Sequence, residues 1–393
     1  MPKILAINAG SSSLKFKLYA MPAERVLISG LVDRIGHQDC IFTYDFKDTH
    51  HRSVQAVQNH TEAVQLVTSA LEDSGVIQSL DEIAGIGHRV AHGGKYYHQS
   101  TKITPIVEQR IDELAVMSPL HNPVNLLGIQ AFEKLVPNTP EVAVFDTSFH
   151  STMPPKAYMY ALPFECYSEH GIRRYGFHGQ SHQYISSEVH RRYDTDFSRK
   201  IISCHLGNGA SICAILDGKS VNTSMGFTPL AGLAMGTRSG DIDPNILPYV
   251  SEEQGLSPDE IRKILNHESG LLGLSGVSND VRDVLKAEAN GNLRAKLALQ
   301  VYVHQIQEYV AAYTADLGGL QTLVFTAGVG EHSAPIRERV CAGLKYLGIK
   351  LDNQANQDNE LDISAADSRV KVLVIPTNEE LIIARETAKL VDD

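Results

Sequence analysis

Three basic side chains of the 393-residue chain lie beside short runs of small or apolar residues, where they could bind an anion. Lys15 follows the small-residue stretch 8–13, Arg89 lies between an apolar run and Gly93-Gly94, and Arg238 lies among Gly, Thr and Ser. Arginine in such a setting suits bidentate binding of a carboxylate or a phosphate. The structural alternatives are a solvated strand lysine, an internal ion pair for Arg89 and a solvated turn for Arg238.

Two acids and a histidine complete the set of residues that could do chemistry. Asp146 and Glu379 each follow an apolar run, where a carboxylate could hold Mg²⁺ or cap the next turn or helix. His178 and His182 have the i, i+4 spacing of a zinc pair, but no H-E-x-x-H motif or nearby cysteine accompanies them. These absences disfavour a metal site. We expect His178 to donate a hydrogen bond to a phosphoryl oxygen, and the structural alternative is a packed histidine.

A pattern of strand, small-residue loop and strand occurs twice, in 4–19 and again in 201–216. Small residues let backbone N–H groups approach an anion closely, and Ser or Asn side chains add further donors. One such loop in each half predicts a duplicated fold that holds a polyphosphate between its halves.

A third anion or nucleotide site is predicted at 326–332, where a glycine turn joins an apolar run to a helix. Ser333 is expected to cap that helix, and Pro335 suits its first turn. The segment contains neither G-x-x-x-x-G-K-[ST] nor G-x-G-x-x-G, which disfavours the P-loop and dinucleotide-binding folds.

The elements that must position these residues can be read from the spacing of apolar side chains. Residues 61–71 have helical spacing, and a long helix with one apolar stripe ends at Gly318-Gly319. The short apolar runs 83–86 and 142–145 indicate buried parallel strands. In open α/β sheets ligands bind outside the carboxyl ends of such strands. The proline-rich 153–155 is the best candidate for a domain boundary.

Composition narrows the class of protein. A net charge of −11 disfavours a nucleic-acid surface, and the chain is long enough for two domains. Five scattered cysteines without a C-x-x-C pair disfavour a disulfide framework or a zinc site and fit a reducing cytosol. No apolar run approaches membrane-spanning length, and the N-terminus is too short in apolar residues for a signal peptide. We therefore expect a cytoplasmic protein.

Together these parts are those of a phosphoryl-transfer enzyme, in which catalysis is mostly positioning and charge neutralisation. Two other classes share some of them. A non-enzymatic actin-like ATP-binding module would need the loops but not the arginines and His178. A sugar kinase would need a base for a hydroxyl group and would gain nothing from a carboxylate-binding arginine.

The whole chain resembles the acetokinase family, within the superfamily of actin, sugar kinases and heat-shock chaperones. The matching segments span the chain in order: 8–15, 87–94, 121–123, 145–150, 173–182, 205–211, 235–244, 280–282, 328–331 and 376–381. The resemblance implies an α/β fold of two duplicated ribonuclease H-like domains around an active cleft, usually in a homodimer. Residues 1–150 plus 381–393 would form the N-terminal domain with the C-terminal helix. Residues 151–380 would form the nucleotide-binding and dimerisation domain.

The same resemblance implies ATP-dependent phosphorylation of acetate and gives roles to individual residues. Asn8 and Glu379 correspond to positions that bind Mg²⁺, and Mn²⁺ could take its place. Arg89 and His121 correspond to the acceptor site. The positions of catalytic residues are Asp146, His178 and Arg238. The positions that correspond to ATP or ADP binding are Lys15, His205, Leu206, Gly207, Asn208, Gly209, Asp280, Val281, Arg282, Gly328, Val329, Gly330, Glu331 and His332. The carboxylate acceptor, with a pKa near ~4.3 by analogy with Glu, is already ionised at neutral pH. We therefore expect Asp146 to position groups rather than to act mainly as a base.

The acceptor pocket differs from the usual family pattern. Acetate-specific members usually carry Val at the position of Ala91, and propionate-specific members look more like Ala; the resemblance places this side chain with Leu120, Phe177 and Pro229 around the acceptor's methyl group. One methylene is worth ~1–3 kcal/mol of discrimination, so we expect propionate to be tolerated beside acetate. Other departures are His332 for Asn, which bears on the preference for the nucleotide base, Asn222 for Asp and Ala231 for Glu.

Overall fold

A computed structural model describes residues 1–391, which form two compact units. The first unit contains Met1–Ser151, Gly179–Tyr184 and the C-terminal segment from Asn378. The second contains Thr152–His178 and Ile185–Thr377. The first break thus falls next to the proline-rich 153–155. Asp392 and Asp393, the end of the predicted segment 381–393, lie outside the described residues.

The first unit is built on a sheet with strand order β5-β4-β3-β2-β1-β6-β8-β7. The strands β1 to β5 form antiparallel pairs in sequence, whereas β6 is parallel to both β1 and β8. The bounds are β1 (Lys3–Ala9), β2 (Ser13–Ala20), β3 (Arg25–Asp33), β4 (Cys40–Phe46), β5 (Thr49–Gln55), β6 (Ile83–Val90), β7 (Thr101–Lys102) and β8 (Glu141–Phe145).

The second unit repeats the central part of this arrangement. Its sheet has the order β11-β10-β9-β12-β13, with β9 (Lys200–Leu206), β10 (Ala210–Leu216), β11 (Lys219–Thr223), β12 (Thr322–Thr326) and β13 (Lys371–Val374). The pairs β11-β10 and β10-β9 are antiparallel, and β12 is parallel to β9 and β13. The order and directions match those of β3-β2-β1-β6-β8. The predicted α/β fold with a duplicated sheet is confirmed.

Helices cover the faces of both sheets. Their bounds are α1 (His60–Asp73), α2 (Pro105–Glu113), α3 (Asn122–Leu135), α4 (Pro155–Tyr158), α5 (Phe164–Ser168), α6 (Gly179–Arg192), α7 (Thr195–Ser198), α8 (Ile246–Gln254), α9 (Pro258–Lys263), α10 (Gly270–Ser275), α11 (Val281–Ala289), α12 (Leu293–Leu317), α13 (Ala327–His332), α14 (Ala334–Gly343), α15 (Asn353–Gln357) and α16 (Glu379–Val391). In the first unit, α1 and α3 bury Val67 and Phe132 against one face of the sheet, and α16 packs Ile383 against the other. In the second unit, α12 turns its apolar stripe to the core and ends at Gly318, whose φ is +60°.

Three local predictions need correction. Strand β6 continues to Val90, so Arg89 lies on the strand rather than after it, because pairing with β8 extends to its end. The predicted glycine turn is the short helix α13, which begins at Ala327 with φ +64°. Ser333 makes no capping hydrogen bond with its side chain, since its N–H closes α13 on Val329 while the next residue begins α14. Pro335 lies in the first turn of α14 as predicted.

The helices within residues 1–391 were compared with the length and apolar character of a membrane span. None of the helices described there combines the length and the apolar character needed to span a bilayer.

Candidate active site

Arg89 and Asp146 form a bidentate ion pair in the first unit. Strands β6 and β8 are parallel neighbours, and Asp146 directly follows β8 with its N–H donated to the carbonyl of Val90. Arg89 Nε donates to Asp146 Oδ1 at 2.9 Å, and Arg89 Nη2 donates to Oδ2 at 2.6 Å. Burial opposes the charge of Arg89, but the adjacent carboxylate outweighs it and raises the arginine pKa above its usual value. The two residues thus act as one unit.

Asn8 joins this pair from the neighbouring strand. It lies near the end of β1, which is parallel to β6, and its Oδ1 accepts a hydrogen bond from Arg89 Nη1 at 3.2 Å. Glu379 begins α16 and is partly exposed. Burial raises its pKa to about 7; Arg89 opposes this shift, and the charge of Asp146 adds to it. Burial is thus the main cause of the raised Glu379 pKa.

The donor set of this group fits Mg²⁺. Carboxylate and amide oxygens are the protein ligands that Mg²⁺ prefers, and Asn8 and Glu379 supply them. A divalent cation would favour the ionised form of Glu379. Within residues 1–391, no cluster of three or more His, Cys, Asp or Glu could hold a metal.

Lys15 is held by a carboxylate that sequence reasoning missed. It lies on β2 directly opposite Asn8, and its Nζ is 2.7 Å from Oε1 of Glu380. Lys17, on the same face of the strand, is 3.2 Å from the other oxygen. Burial disfavours the charge of Glu380, but the two ammonium groups outweigh it and lower the carboxyl pKa. The only sequence signal for Glu380 was its place next to Glu379.

The predicted acceptor-pocket residues of the first unit differ in exposure. Ala91 is buried just after β6, whereas Leu120 is half exposed and His121 precedes α3. The N–H of Ala91 donates to Asn125 Oδ1 at 3.0 Å, and Asn125 Nδ2 donates to the carbonyl of Ala9 at 2.9 Å. Asn125, on α3, thus ties the segment after β6 to the end of β1. No sequence pattern distinguished it from an ordinary helix residue.

In the second unit His178 is fixed by the hairpin of β9 and β10. Its Nδ1 lies 2.9 Å from Ser211 Oγ, and its ring stacks on that of His205 with 4.1 Å between centroids. A Cβ added to Gly209 would lie 3.6 Å from both His178 Nε2 and Arg238 Nη1. The structure thus brings both predicted phosphoryl-binding side chains to the hairpin loop.

Phe177 and Pro229 have different places in the second unit. Phe177 is part of the hydrophobic core, and the carbonyl of Pro229 accepts a 3.4 Å hydrogen bond from Arg238 Nη1. Pro229 therefore helps to orient the guanidinium group.

A cavity of about 600 Å³ lies next to this loop in the second unit. Its size is typical of small-molecule sites. The lining residues are Gly207, Asn208, Asn279, Asp280, Val281, Arg282, Leu285, Gly328, Val329, His332, Ser333 and Pro335. Most of the predicted nucleotide-binding residues therefore surround one space.

Some predicted nucleotide residues have structural contacts instead of lining the cavity. Leu206 is fully buried in the core, and the carbonyl of Gly330 accepts a hydrogen bond from the buried Arg337. Glu331 Oε1 accepts from the N–H groups of Ala327 and Thr377 at 2.8 and 3.1 Å. These residues hold the cavity wall in place.

Comparison with known proteins gives one consistent result. The model of the acetokinase family matches residues 3–385. An acetate kinase of Geobacillus kaustophilus (strain HTA426) is 51% identical over 393 residues, which cover 99% of each chain. A crystal structure of Porphyromonas gingivalis acetate kinase superposes with a TM-score of 0.91 at 43% identity, covering 100% of both chains. A propionate kinase from Francisella tularensis gives 0.92 at 41% identity, covering 99% of this chain and 100% of that one.

Proposed function

Because the chain belongs to the acetokinase family, we propose that it is an acetate kinase. It transfers the γ-phosphoryl group of ATP to a carboxylate oxygen of acetate, giving acetyl phosphate and ADP, and the reaction is reversible. The observation that carries the proposal is the anchored guanidinium of Arg89, which suits a carboxylate acceptor.

Arg89 retains donors for a substrate. A guanidinium has five N–H groups. The carboxylate of Asp146 accepts from two of them and Asn8 from one, so two remain for the acceptor carboxylate. An arginine held on one edge by Asp146 loses little further freedom when it binds acetate with the other donors.

Asp146 then works by holding Arg89. Acetate is ionised at neutral pH and needs no base to become a nucleophile. Both oxygens of Asp146 are already engaged by Arg89, and its side chain is 1% exposed. A sugar kinase would instead use such a carboxylate to take the proton of a hydroxyl group.

The nucleotide is assigned to the second unit. The 600 Å³ cavity receives the adenosine part of ATP. The hairpin loop, closed by the N–H of Gly207 on the carbonyl of Gly209, binds the phosphates of ATP through the backbone N–H groups of Asn208 and Gly209. Lys15 corresponds to an ATP position of the family, and we propose that its ammonium group binds the phosphates. Repulsion between the anionic acceptor and the phosphate is the main obstacle, and His178 and Arg238 stabilise the transferring group.

Mg²⁺, or Mn²⁺ in its place, would neutralise phosphate charge when bound with the nucleotide. Asn8 and Glu379 would hold it directly or through water.

Arg238 is the arginine that we assign to the transition state. An arginine supplied to a phosphoryl transition state can raise the reaction rate ~10³–10⁵-fold.

Propionate is a second acceptor, which two observations favour. Ala91 is buried, and the structurally similar Francisella tularensis protein is a propionate kinase. Loss of two methyl groups relative to Val leaves room for one more methylene on the acceptor. We therefore expect acetate to be the main substrate and propionate to be used with a kcat/KM within about 100-fold of that for acetate.

We further propose that the protein is a cytoplasmic homodimer. Exposed apolar side chains of the second unit, among them Phe164 and Tyr249, support a self-association surface. The scattered cysteines support a reducing compartment. Light scattering after size exclusion tests the dimer.

A hydroxamate assay tests the activity, since hydroxylamine traps acyl phosphates. The protein is incubated with ATP, Mg²⁺ and, in turn, acetate, propionate, butyrate and glycerol. We expect the wild type to form hydroxamate from acetate. A folded Arg238→Ala variant should lose kcat by orders of magnitude. No hydroxamate with any carboxylic acid would favour a non-enzymatic ATP-binding module, and ADP release with glycerol alone would favour a sugar kinase.

A further inference from the structure

We propose that Ser211 is a positioning residue for His178: its hydroxyl sets the tautomer and the orientation of the imidazole that contacts the transferring phosphoryl group. The inference rests on the proposed function for the role of His178. It stands on three observations within the second unit, which are the hydrogen bond, the ring stack and the backbone conformation of His178.

The hydrogen bond fixes one edge of the ring. Ser211 Oγ lies 2.9 Å from His178 Nδ1, and Ser211 is fully buried. To donate to a phosphoryl oxygen, His178 must carry a proton on Nε2. In the neutral imidazole Nδ1 then has only a lone pair, so the Ser211 hydroxyl donates to it. When the ring is doubly protonated, the same hydroxyl accepts from Nδ1–H, so the contact survives both charge states.

The ring stack fixes the plane of the imidazole. His205 stacks on His178 at an interplanar angle of 22°. Ser211 and His205 are direct partners in the register of β9 and β10. One cross-strand pair therefore holds both the face and the edge of the same ring, and a rigid sheet supplies the geometry.

The backbone of His178 shows that the ring is held by its surroundings. His178 has φ +56° and ψ +28°, a left-handed conformation that non-glycine residues seldom adopt. Such a conformation persists only when neighbouring contacts determine it. Nε2 is directed to the loop side, where a Cβ on Gly209 would lie 3.6 Å from it and equally far from Arg238 Nη1. The Nε2 edge of the ring and the guanidinium group of Arg238 thus lie at the same part of the loop.

The kinetic test compares Ser211→Ala with wild type in the hydroxamate assay. Loss of the buried hydrogen bond should lower kcat about tenfold and leave the KM values for ATP and acetate within about twofold. Ser211→Thr, which keeps a hydroxyl, should restore most of the activity. Ser220→Ala is the matched control, because Ser220 is a buried serine of the same sheet whose hydroxyl lies 3.4 Å from Cys213 Sγ; it should keep wild-type kcat.

A double variant separates positioning from general damage. In a His178→Ala background, Ser211→Ala should cost no more than about twofold, because the ring that it orients is absent. A kcat of Ser211→Ala within twofold of wild type, or an equal fall in both backgrounds, would overturn the inference.

Nitrogen NMR of ¹⁵N-histidine-labelled protein reads the tautomer directly and does not need activity. The His178 signal, assigned among 17 histidines by its loss in His178→Gln, should show a protonated Nε2 and an unprotonated Nδ1 at neutral pH. Ser211→Ala should move it toward a mixture of tautomers, and an unchanged signal would overturn the inference. If the wild type makes no hydroxamate, the proposed function fails, and this measurement still decides the role of Ser211.

Discussion

Replacing Asp146 with Asn tests whether this carboxylate works through Arg89 or as a base. The substitution keeps an oxygen for Arg89 Nε but places an amide NH₂ against Nη2, which now donates to Oδ2 at 2.6 Å. One charge-assisted hydrogen bond is lost, and such bonds contribute ~1.5–3 kcal/mol. At 1.36 kcal/mol per tenfold change, kcat/KM for acetate should fall by about 10- to 150-fold. The KM for ATP should stay within about twofold.

The size of this loss overlaps with what a general base contributes, so the decisive assay uses a second background. In Arg89→Ala there is no guanidinium to hold, and adding Asp146→Asn should change kcat/KM by less than about threefold. A base would still be needed there, and its loss would cost a further ~10²–10⁴. A further fall of more than about tenfold in the double variant would refute the positioning role.

A control of the same geometry is available in the same unit. Arg385 and Glu24 form a second bidentate pair, with Nε–Oε1 at 2.6 Å and Nη2–Oε2 at 2.9 Å. Glu24→Gln makes the same chemical change outside the proposed site. Its kcat/KM for acetate should stay within about twofold of wild type, and urea unfolding of all variants checks that they are folded.

Three further predictions test other parts of the site. Ala91→Val should lower kcat/KM for propionate about tenfold relative to acetate, because it adds two methyl groups at a buried position. Parallel hydroxamate assays of the two acids measure the ratio, and an unchanged ratio would show that Ala91 does not line the acceptor pocket. Glu380 has a lowered carboxyl pKa, so its contribution to folding is present above the ordinary pKa of Glu and is lost as the pH falls below it. Glu380→Gln should therefore destabilise the protein to urea at pH 7 more than at pH 4, and an equal effect at both would contradict the ion pairs. Gly236→Ala would place a Cβ 2.0 Å from Asn208 Oδ1 in the cavity wall, so the KM for ATP should rise several-fold while that for acetate stays constant in steady-state assays.

The sequence alone predicted the elements whose pattern is local. The two hairpins, the helix over 61–71 and the long helix ending at Gly318 depend on apolar spacing and on glycine, which neighbouring residues show directly. The sequence pattern did not predict the start of α13, because the side chain that stabilises it belongs to Glu331, four residues after Ala327. Glu331 accepts the N–H of Ala327, which satisfies a donor that an uncapped helix would leave unpaired.

Contacts between distant segments could not be predicted in the same way. The pairing of Lys15 with Glu380 joins the first hairpin to the last helix, and nothing near Lys15 indicates which acid it meets. The pairing of Arg89 with Asp146 depends on the parallel register of β6 and β8, which spacing along the chain does not determine. Residue types suggested the candidate site residues, and only the tertiary register showed which of them contact one another.

The two hairpins carry their functional residues at the same register. In the first, Asn8 pairs with Lys15 one step before the loop-closing pair. In the second, His205 pairs with Ser211 at the corresponding step. A duplicated hairpin presents the two side chains of this pair side by side, because direct cross-strand partners share one face. The first copy uses the position for an amide oxygen and an ammonium group, whereas the second uses it to hold an imidazole. Their common geometry is the reason to expect Ser211 to matter for the reaction as well as for the packing of its sheet.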